Sequence, residues 1–119
     1  MQKLLFIVVI LIVGSANAQK HISLDAVKMH IGDSVHVCAK VYGGRFVETG
    51  SGAPTYINLG AAYPEDLLTI VILGADRTKF NDRPEQSWKG RQICVSGVIT
   101  EFRGKPQMIV TKTEQVSFP

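Results

Sequence analysis

The residues of this chain best suited to chemistry are cations and aromatic rings set among amides: Lys40, Tyr42, Arg45, Tyr56, Asn58, Tyr63, Arg103, Lys105 and Gln107. Aromatic rings are sequence-tolerant platforms on which bases stack, and nearby cationic side chains track a phosphate backbone. Gathered on one face, these residues would suit a weak single-strand site. Each also has an ordinary role, since a buried tyrosine simply packs and an Arg-Gly-Lys turn is what any soluble hairpin needs. Bulk charge gives little help. With 13 Lys and Arg against 10 Asp and Glu the formal charge is +3, or +2 without Lys3, short of the clear basic excess of strong non-specific nucleic-acid binders. An electrostatic case must therefore rest on local clustering.

Other chemistries find less support. His21, His30 and His36 show no spacing with cysteine or carboxylate that matches a zinc or calcium site, and two isolated cysteines, Cys38 and Cys94, do not suggest a metal. His36 and Cys38 could form a metal pair only if the thiol were free. There is no phosphate-cradling glycine loop and no serine-elbow motif. The expectation is a protein without catalytic activity, metal or cofactor.

The elements that must position these residues begin after an export signal. Residues 1–18 combine a basic start at Lys3, an apolar run over residues 4–13 and an Ala16-Asn17-Ala18 cleavage site, so they are expected to be removed. The apolar run is too short for the roughly 20 residues of a membrane-spanning helix, and no cysteine follows it as in bacterial lipoproteins. The expected mature chain, residues 19–119, suffices for one domain in an extracytoplasmic compartment, with no membrane span.

Within that domain residues 19–29 read as a lead-in without a firm period. A first strand is expected over residues 34–42, continuing to Val47 after a Gly43-Gly44 bend or bulge. Residues 48–54 form a loop, residues 55–59 a second strand, and residues 67–73 a third. The near-continuous apolar content of the third suggests a strand covered on both faces, or on one with the other offered to a ligand. Residues 74–90 carry two short helical turns, over 76–80 and 84–88, with Pro84 suited to a first helical position. A fourth strand over residues 91–102, a tight turn at residues 103–106 and a fifth strand over residues 107–112 complete the domain. The parity of the fifth strand, and hence the facing of Gln107, stays open.

Three strands, a short helical connection and two hairpin-joined strands make the order of a mainly β, five-stranded Greek-key OB barrel, with the connection between strands three and four closing one end. The chain resembles the small exported bacterial OB-fold proteins. The resemblance lies in Tyr56-Ile57-Asn58-Leu59-Gly60-Ala61-Ala62-Tyr63-Pro64, in Trp88-Lys89-Gly90-Arg91-Gln92-Ile93-Cys94-Val95-Ser96-Gly97 and in Phe102-Arg103-Gly104-Lys105-Pro106-Gln107-Met108-Ile109-Val110. These stretches mark turns and barrel strands, so they speak to fold more than to function.

In such a barrel the first and fourth strands are neighbours. If Val35, Val37, Ala39 and Val41 face inward on one, and Ile93, Val95, Gly97 and Ile99 on the other, Cys38 and Cys94 both point outward and a cross-strand disulfide is possible. Closing that loop would remove about 4 kcal/mol of unfolded-chain entropy. Two free thiols are the alternative. OB barrels bind oligonucleotides or oligosaccharides on the face of strands two and three, between the loops after strand one and between strands four and five. Those loops hold Arg45, Arg103 and Lys105, with Lys40, Tyr42, Tyr56, Asn58, Tyr63 and Gln107 between or near them. The expected partner is single-stranded nucleic acid, and the alternatives are a cell-envelope glycan or a protein on the same face. A minor alternative is a metal-dependent nuclease resembling the staphylococcal type. Asp76, Asp82, Arg77 and Arg83 supply the residue types, but they fall in the helical connection. Trp88 is expected to cap the barrel end, with stacking against a ligand as the alternative.

Overall fold

A computed structural model describes residue 7 and residues 19–80 and 83–119. The expected signal segment, residues 1–18, lies outside the described residues apart from position 7, as does Asp82. The strands are β1 (Lys20–His21), β2 (Ser34–Phe46), β3 (Thr55–Leu59), β4 (Leu68–Ile72), β5 (Gln92–Phe102), β6 (Lys105–Ile109) and β7 (Val116–Ser117). Two single-turn helices, α1 (Gly74–Arg77) and α2 (Pro84–Ser87), form the connection between β4 and β5, and Pro84 opens the second. No helix among the described residues is long and apolar enough to cross a membrane.

The fold is mainly β, a mixed sheet of seven strands in the order β1-β2-β3-β4-β6-β5-β7, with β2 also paired to β5 so that the sheet bends into a partial ring. The five expected strands correspond to β2 to β6. The count of five is corrected to seven by β1, which pairs in parallel with β2 inside the segment read as a lead-in, and by β7, which pairs with β5 inside the tail. Each is two residues long, too short for apolar alternation to show.

The long strand β2 organises the ring. Its first half pairs with β5, from Ser34↔Val98 to Lys40↔Gln92, and its second half with β3, from Val41↔Leu59 to Phe46↔Thr55, with a register shift between Val41 and Gly43. The bulge is where the strand leaves one partner for the other, as extra residues at sheet corners do. Gly44 lies just beyond it. A β-carbon there would run into the Tyr56 carbonyl oxygen and come within 3.2 Å of the Glu85 Cα, so only glycine lets β2, β3 and α2 meet this closely.

Inward parity follows the expected pattern. Val35, Val37, Val41, Ile93, Val95 and Ile99 are fully buried and Ala39 nearly so, joined by Ile57, Leu59, Leu68, Ile70, Ile72 and Met108. Met108 pairs with Ile99 on the inner face, so Gln107 and Ile109 face outward, which settles the fifth expected strand. Strand β4 is covered on one face by the core and partly on the other, where Val71 is buried and Thr69 half-buried. Trp88 is buried between Phe80 and Phe118, its ring edge-on to each at 5.6 Å, the packing role expected of it.

Cys38 and Cys94 are directly opposite in the β2–β5 ladder and joined by a disulfide. Both lie on the face away from the core, as the parities required, yet Cys94 is buried and Cys38 half-buried, less open than a surface bond. The bond also settles the question of a His36–Cys38 metal pair in this state, because neither sulfur is a free thiol.

Candidate functional site

Outside the partial ring, register aligns side chains from five strands. One rung runs Gly43, Asn58, Thr69, Gln107, Thr100 across β2, β3, β4, β6 and β5, and the next runs Arg45, Tyr56, Val71, Ile109 across the first four. The alternation that buries Ile57 and Leu59 in the core turns Tyr56 and Asn58 outward. Asn58, Thr69 and Gln107 of the first rung and Arg45 and Tyr56 of the second line a groove of about 440 Å³.

Six of the eight ligand candidates line that groove: Arg45, Tyr56, Asn58, Tyr63, Arg103 and Lys105, together with Gln107. Lys40 and Tyr42 do not. Lys40 is the last β2 residue paired with β5, and Tyr42 falls in the register shift between Val41 and Gly43, so neither belongs to the two rungs above. The Lys40 ammonium lies 5.2 Å from the centroid of the exposed Tyr42 ring, so the two keep each other company away from the groove.

One wall of the groove is the β5–β6 hairpin. Phe102 pairs with Lys105 across a two-residue turn in which Arg103 and Gly104 have φ of 51° and 79°, the left-handed pair that matches strand twist. Holding a non-glycine residue there costs about 1 kcal/mol. The consequence is that Arg103 projects at the hairpin tip, its guanidinium 5.2 Å from the Phe102 ring centroid. Phe102 itself is 57% exposed, and Tyr63, whose ring lies 5.3 Å from the Lys105 ammonium, 74%. Two large exposed rings thus line the groove.

Lys105 has a different part from the one expected. Its ammonium donates to Asp66 Oδ1 and to the Pro64 carbonyl oxygen, each at 2.9 Å, and lies 5.3 Å from the Tyr63 ring centroid. The Asp66 side chain is fully buried and also accepts a hydrogen bond from the Thr69 hydroxyl. Lys105 therefore neutralises a buried carboxylate and straps the β3–β4 loop to the hairpin, so it is not an unpaired cation awaiting phosphate. Among the described residues Arg45 and Arg103 enter no ion pair, which leaves them as the cations of the groove.

Beyond Gly44 and Arg45 a second depression of about 500 Å³ reaches toward α2. Its floor is a tied network. Arg77 donates to both Glu85 carboxylate oxygens at 2.7 and 2.8 Å and to the Thr55 hydroxyl at 2.7 Å, with its guanidinium 3.8 Å from the Phe46 ring centroid. The bidentate hydrogen bond holds the Glu85 carboxyl below the ordinary range and raises Arg77 further, against the opposing effect of burial. Asp76 accepts from Lys79 at 2.7 Å. Of the nuclease candidates, Arg77 and Arg83 both line this depression, Arg77 is bound to Glu85, and Asp76 is bound to Lys79.

Sequence reasoning missed Thr69, Phe102, Pro106 and the strap through Asp66. Phe102 carried a usable signal, because an aromatic residue at the solvent end of a strand, next to a tight turn, has no core to enter. Asp66 falls between the second and third expected strands with nothing to mark it, and its partner is a lysine 39 positions away.

No family model and no curated protein matches this chain. Among solved structures it is similar to a provisionally assigned aspartyl-tRNA synthetase from Leishmania major Friedlin, with 12% sequence identity and a TM-score of 0.49 over 84% of this chain and 21% of that one. The chain therefore spans about a fifth of the length of that protein.

Proposed function

We propose that this chain is an exported binding module of the OB-barrel type, without catalytic activity, that holds single-stranded nucleic acid weakly and with little sequence preference. The observation that carries the reading is the pairing of open rings with unpaired cations in one groove, which Tyr63, Phe102, Arg45 and Arg103 all line. Bases stacked on the rings would run their phosphates past the guanidinium groups, which suit phosphate geometry better than an ammonium does. The pairing of β2, β3, β4, β6 and β5, with β5 returning to β2, supports the barrel assignment, and β1 and β7 are short additions to it. The Cys38–Cys94 disulfide supports an extracytoplasmic address, because such bonds persist in oxidising compartments.

The test is fluorescence anisotropy of a labelled single-stranded oligonucleotide against residues 19–119 at low and physiological salt. The expected result is saturable binding that weakens steeply as salt rises. No binding at low salt refutes the reading.

A second reading, a cell-envelope glycan, is favoured by one specific feature. The rung of Asn58, Thr69 and Gln107 offers amides and a hydroxyl in the same groove as the two open rings, and the Asp66–Lys105 pair removes one positive charge from it. Stacking and neutral hydrogen bonds of that kind hardly respond to salt. A protein partner on the same face would need to cover Tyr63 and Phe102 together, and nothing about the groove favours it over the other two.

A further inference from the structure

The outer face of the β2–β5 ladder carries a group of side chains remote from the groove. His36 lies two residues before Cys38 on the same face, with its Nε2 3.7 Å from the Cys38 sulfur. Its other ring nitrogen, Nδ1, is 2.7 Å from the Ser96 hydroxyl of the paired strand. The His21 ring, brought alongside by the pairing of β1 with β2, has its centroid 5.0 Å from that of His36. Ligand atoms of His36, Cys38 and Cys94 all fall within 4.8 Å of one another.

We propose that this cluster is a redox-gated zinc site, closed while the disulfide is intact and able to take one Zn²⁺ through Cys38, Cys94 and His36 once the bond is reduced. Zinc takes sulfur at about 2.3 Å and imidazole nitrogen at about 2.0 Å in tetrahedral arrangement, so a sulfur and a nitrogen ligand sit about 3.5 Å apart and two sulfurs about 3.8 Å apart. The nitrogen-to-sulfur edge already has nearly that length, at 3.7 Å. The ligand atoms of His36 and Cys94 lie within 4.8 Å of each other, and the sulfur-to-sulfur edge must open once the bond is cut.

The surrounding sheet lets it open without losing the site. The cysteines are the fifth of seven consecutive residue pairs between β2 and β5, so the backbone ladder keeps them opposite when the covalent link is gone, and side-chain rotation separates the sulfurs. Ser96 holds the imidazole by Nδ1 and presents Nε2 toward the sulfurs, the partnership that orients metal-bound histidines. His21 or a water completes four ligands from the open side.

The chemistry balances. A dithiol reductant gives two electrons and two protons to the Cys38–Cys94 bond and is itself oxidised to a disulfide. Zn²⁺ then binds the two sulfurs as thiolates and releases two protons.

The test titrates the protein with zinc sulfate against a chromophoric chelator, in the oxidised form and after reduction by a phosphine. The phosphine replaces the dithiol because it takes up oxygen from water to become the oxide and leaves no competing thiols. The expected result is one zinc per reduced chain and none per oxidised chain, with His36→Ala weakening the affinity at least tenfold and Ser96→Ala weakening it less. Cobalt in place of zinc should give a thiolate-to-metal absorption band in the reduced parent, diminished in His36→Ala. Circular dichroism of the reduced chain and of a Cys38→Ser/Cys94→Ser variant reports whether the ladder survives without the bond. The proposal is overturned by zinc binding that is equal in both redox states, by none on reduction, by a His36→Ala variant that binds as tightly as the parent, or by loss of strand signal when the bond is cut.

Discussion

Removing the Lys105 ammonium should destabilise the domain far more than an exposed lysine would, and removing Asp66 with it should recover most of the loss. The Asp66 side chain is fully buried, whereas Lys105 is 39% exposed. Cutting one member of a fully buried pair typically costs about 3–5 kcal/mol, and a fully exposed pair contributes at most about 1. Here the carboxylate keeps its hydrogen bond from Thr69, and truncation of a half-open lysine admits water beside it. The expected cost of Lys105→Met is therefore about 2 kcal/mol, which for a domain of this size lowers Tm by about 10 °C. Asp66→Asn/Lys105→Met removes the uncompensated charge and should regain more than half of that. Trp88, the only tryptophan and 5% exposed, reports unfolding by its fluorescence, with circular dichroism as a second probe. A Lys105→Met variant within about 2 °C of the parent, or a double variant no more stable than the single one, refutes the strap. The same variant separates structure from binding, because a lysine already neutralised by Asp66 should leave the salt dependence of oligonucleotide binding unchanged.

Three further outcomes follow from other parts of the molecule. Arg45→Ala and Arg103→Ala should each weaken oligonucleotide binding and lower the slope of log K against log salt by about 0.7, the value for one phosphate contact on a single strand, and unchanged slopes in both would remove nucleic acid from the groove. Gly44→Ala should cost about 2 kcal/mol or more in urea denaturation, since its β-carbon meets the Tyr56 carbonyl oxygen and stands 3.1 Å from Ile57 Cδ1; a neutral result would mean that β2 and α2 can part there. Glu85 is held below the ordinary carboxylate pKa by its hydrogen bonds from Arg77. Its contribution to stability is therefore present above the unfolded value, about 4.3, and is lost as pH falls through the lower folded value. The parent should lose stability below about pH 4 more steeply than Glu85→Gln, and parallel acid profiles would contradict that sign.

The core was readable because alternation is a local property. Val35, Val37 and Val41 opposite Ile93, Val95 and Ile99 declare an inner face in their own sequence, and once the two strands are neighbours Cys38 and Cys94 must share the outer one. Turn chemistry was equally local at Arg103-Gly104 and at Pro84. What stayed hidden was set by distant partners. The parity of Gln107 depends on the pairing of Met108 with Ile99, and the place of Lys40 and Tyr42 depends on where β2 changes partner and where its register with β3 shifts. The two-residue strands β1 and β7 owe their pairing wholly to edges that β2 and β5 leave open. Lys105 was found as a groove residue from its hairpin position, but its role was not, because a buried aspartate has no mark in sequence that separates it from a turn aspartate.

That last difference alters the chemistry to expect of the groove. Three cations in a cleft this small would argue for a polyanion on charge alone. With Lys105 neutralised, two arginines remain, one on β2 and one at the hairpin tip, and the neutral rung of Asn58, Thr69 and Gln107 shares the lining with them. A ligand that satisfies this lining needs flat faces for Tyr63 and Phe102, hydrogen-bonding groups for the polar rung, and negative charge for the two arginines. A short run of stacked nucleotides meets all three needs, and a neutral sugar meets the first two. The arginines therefore decide between them. Nucleic acid should lose affinity on removal of either guanidinium and on addition of salt, whereas a sugar should be indifferent to both, and removal of the Phe102 ring should weaken either ligand alike.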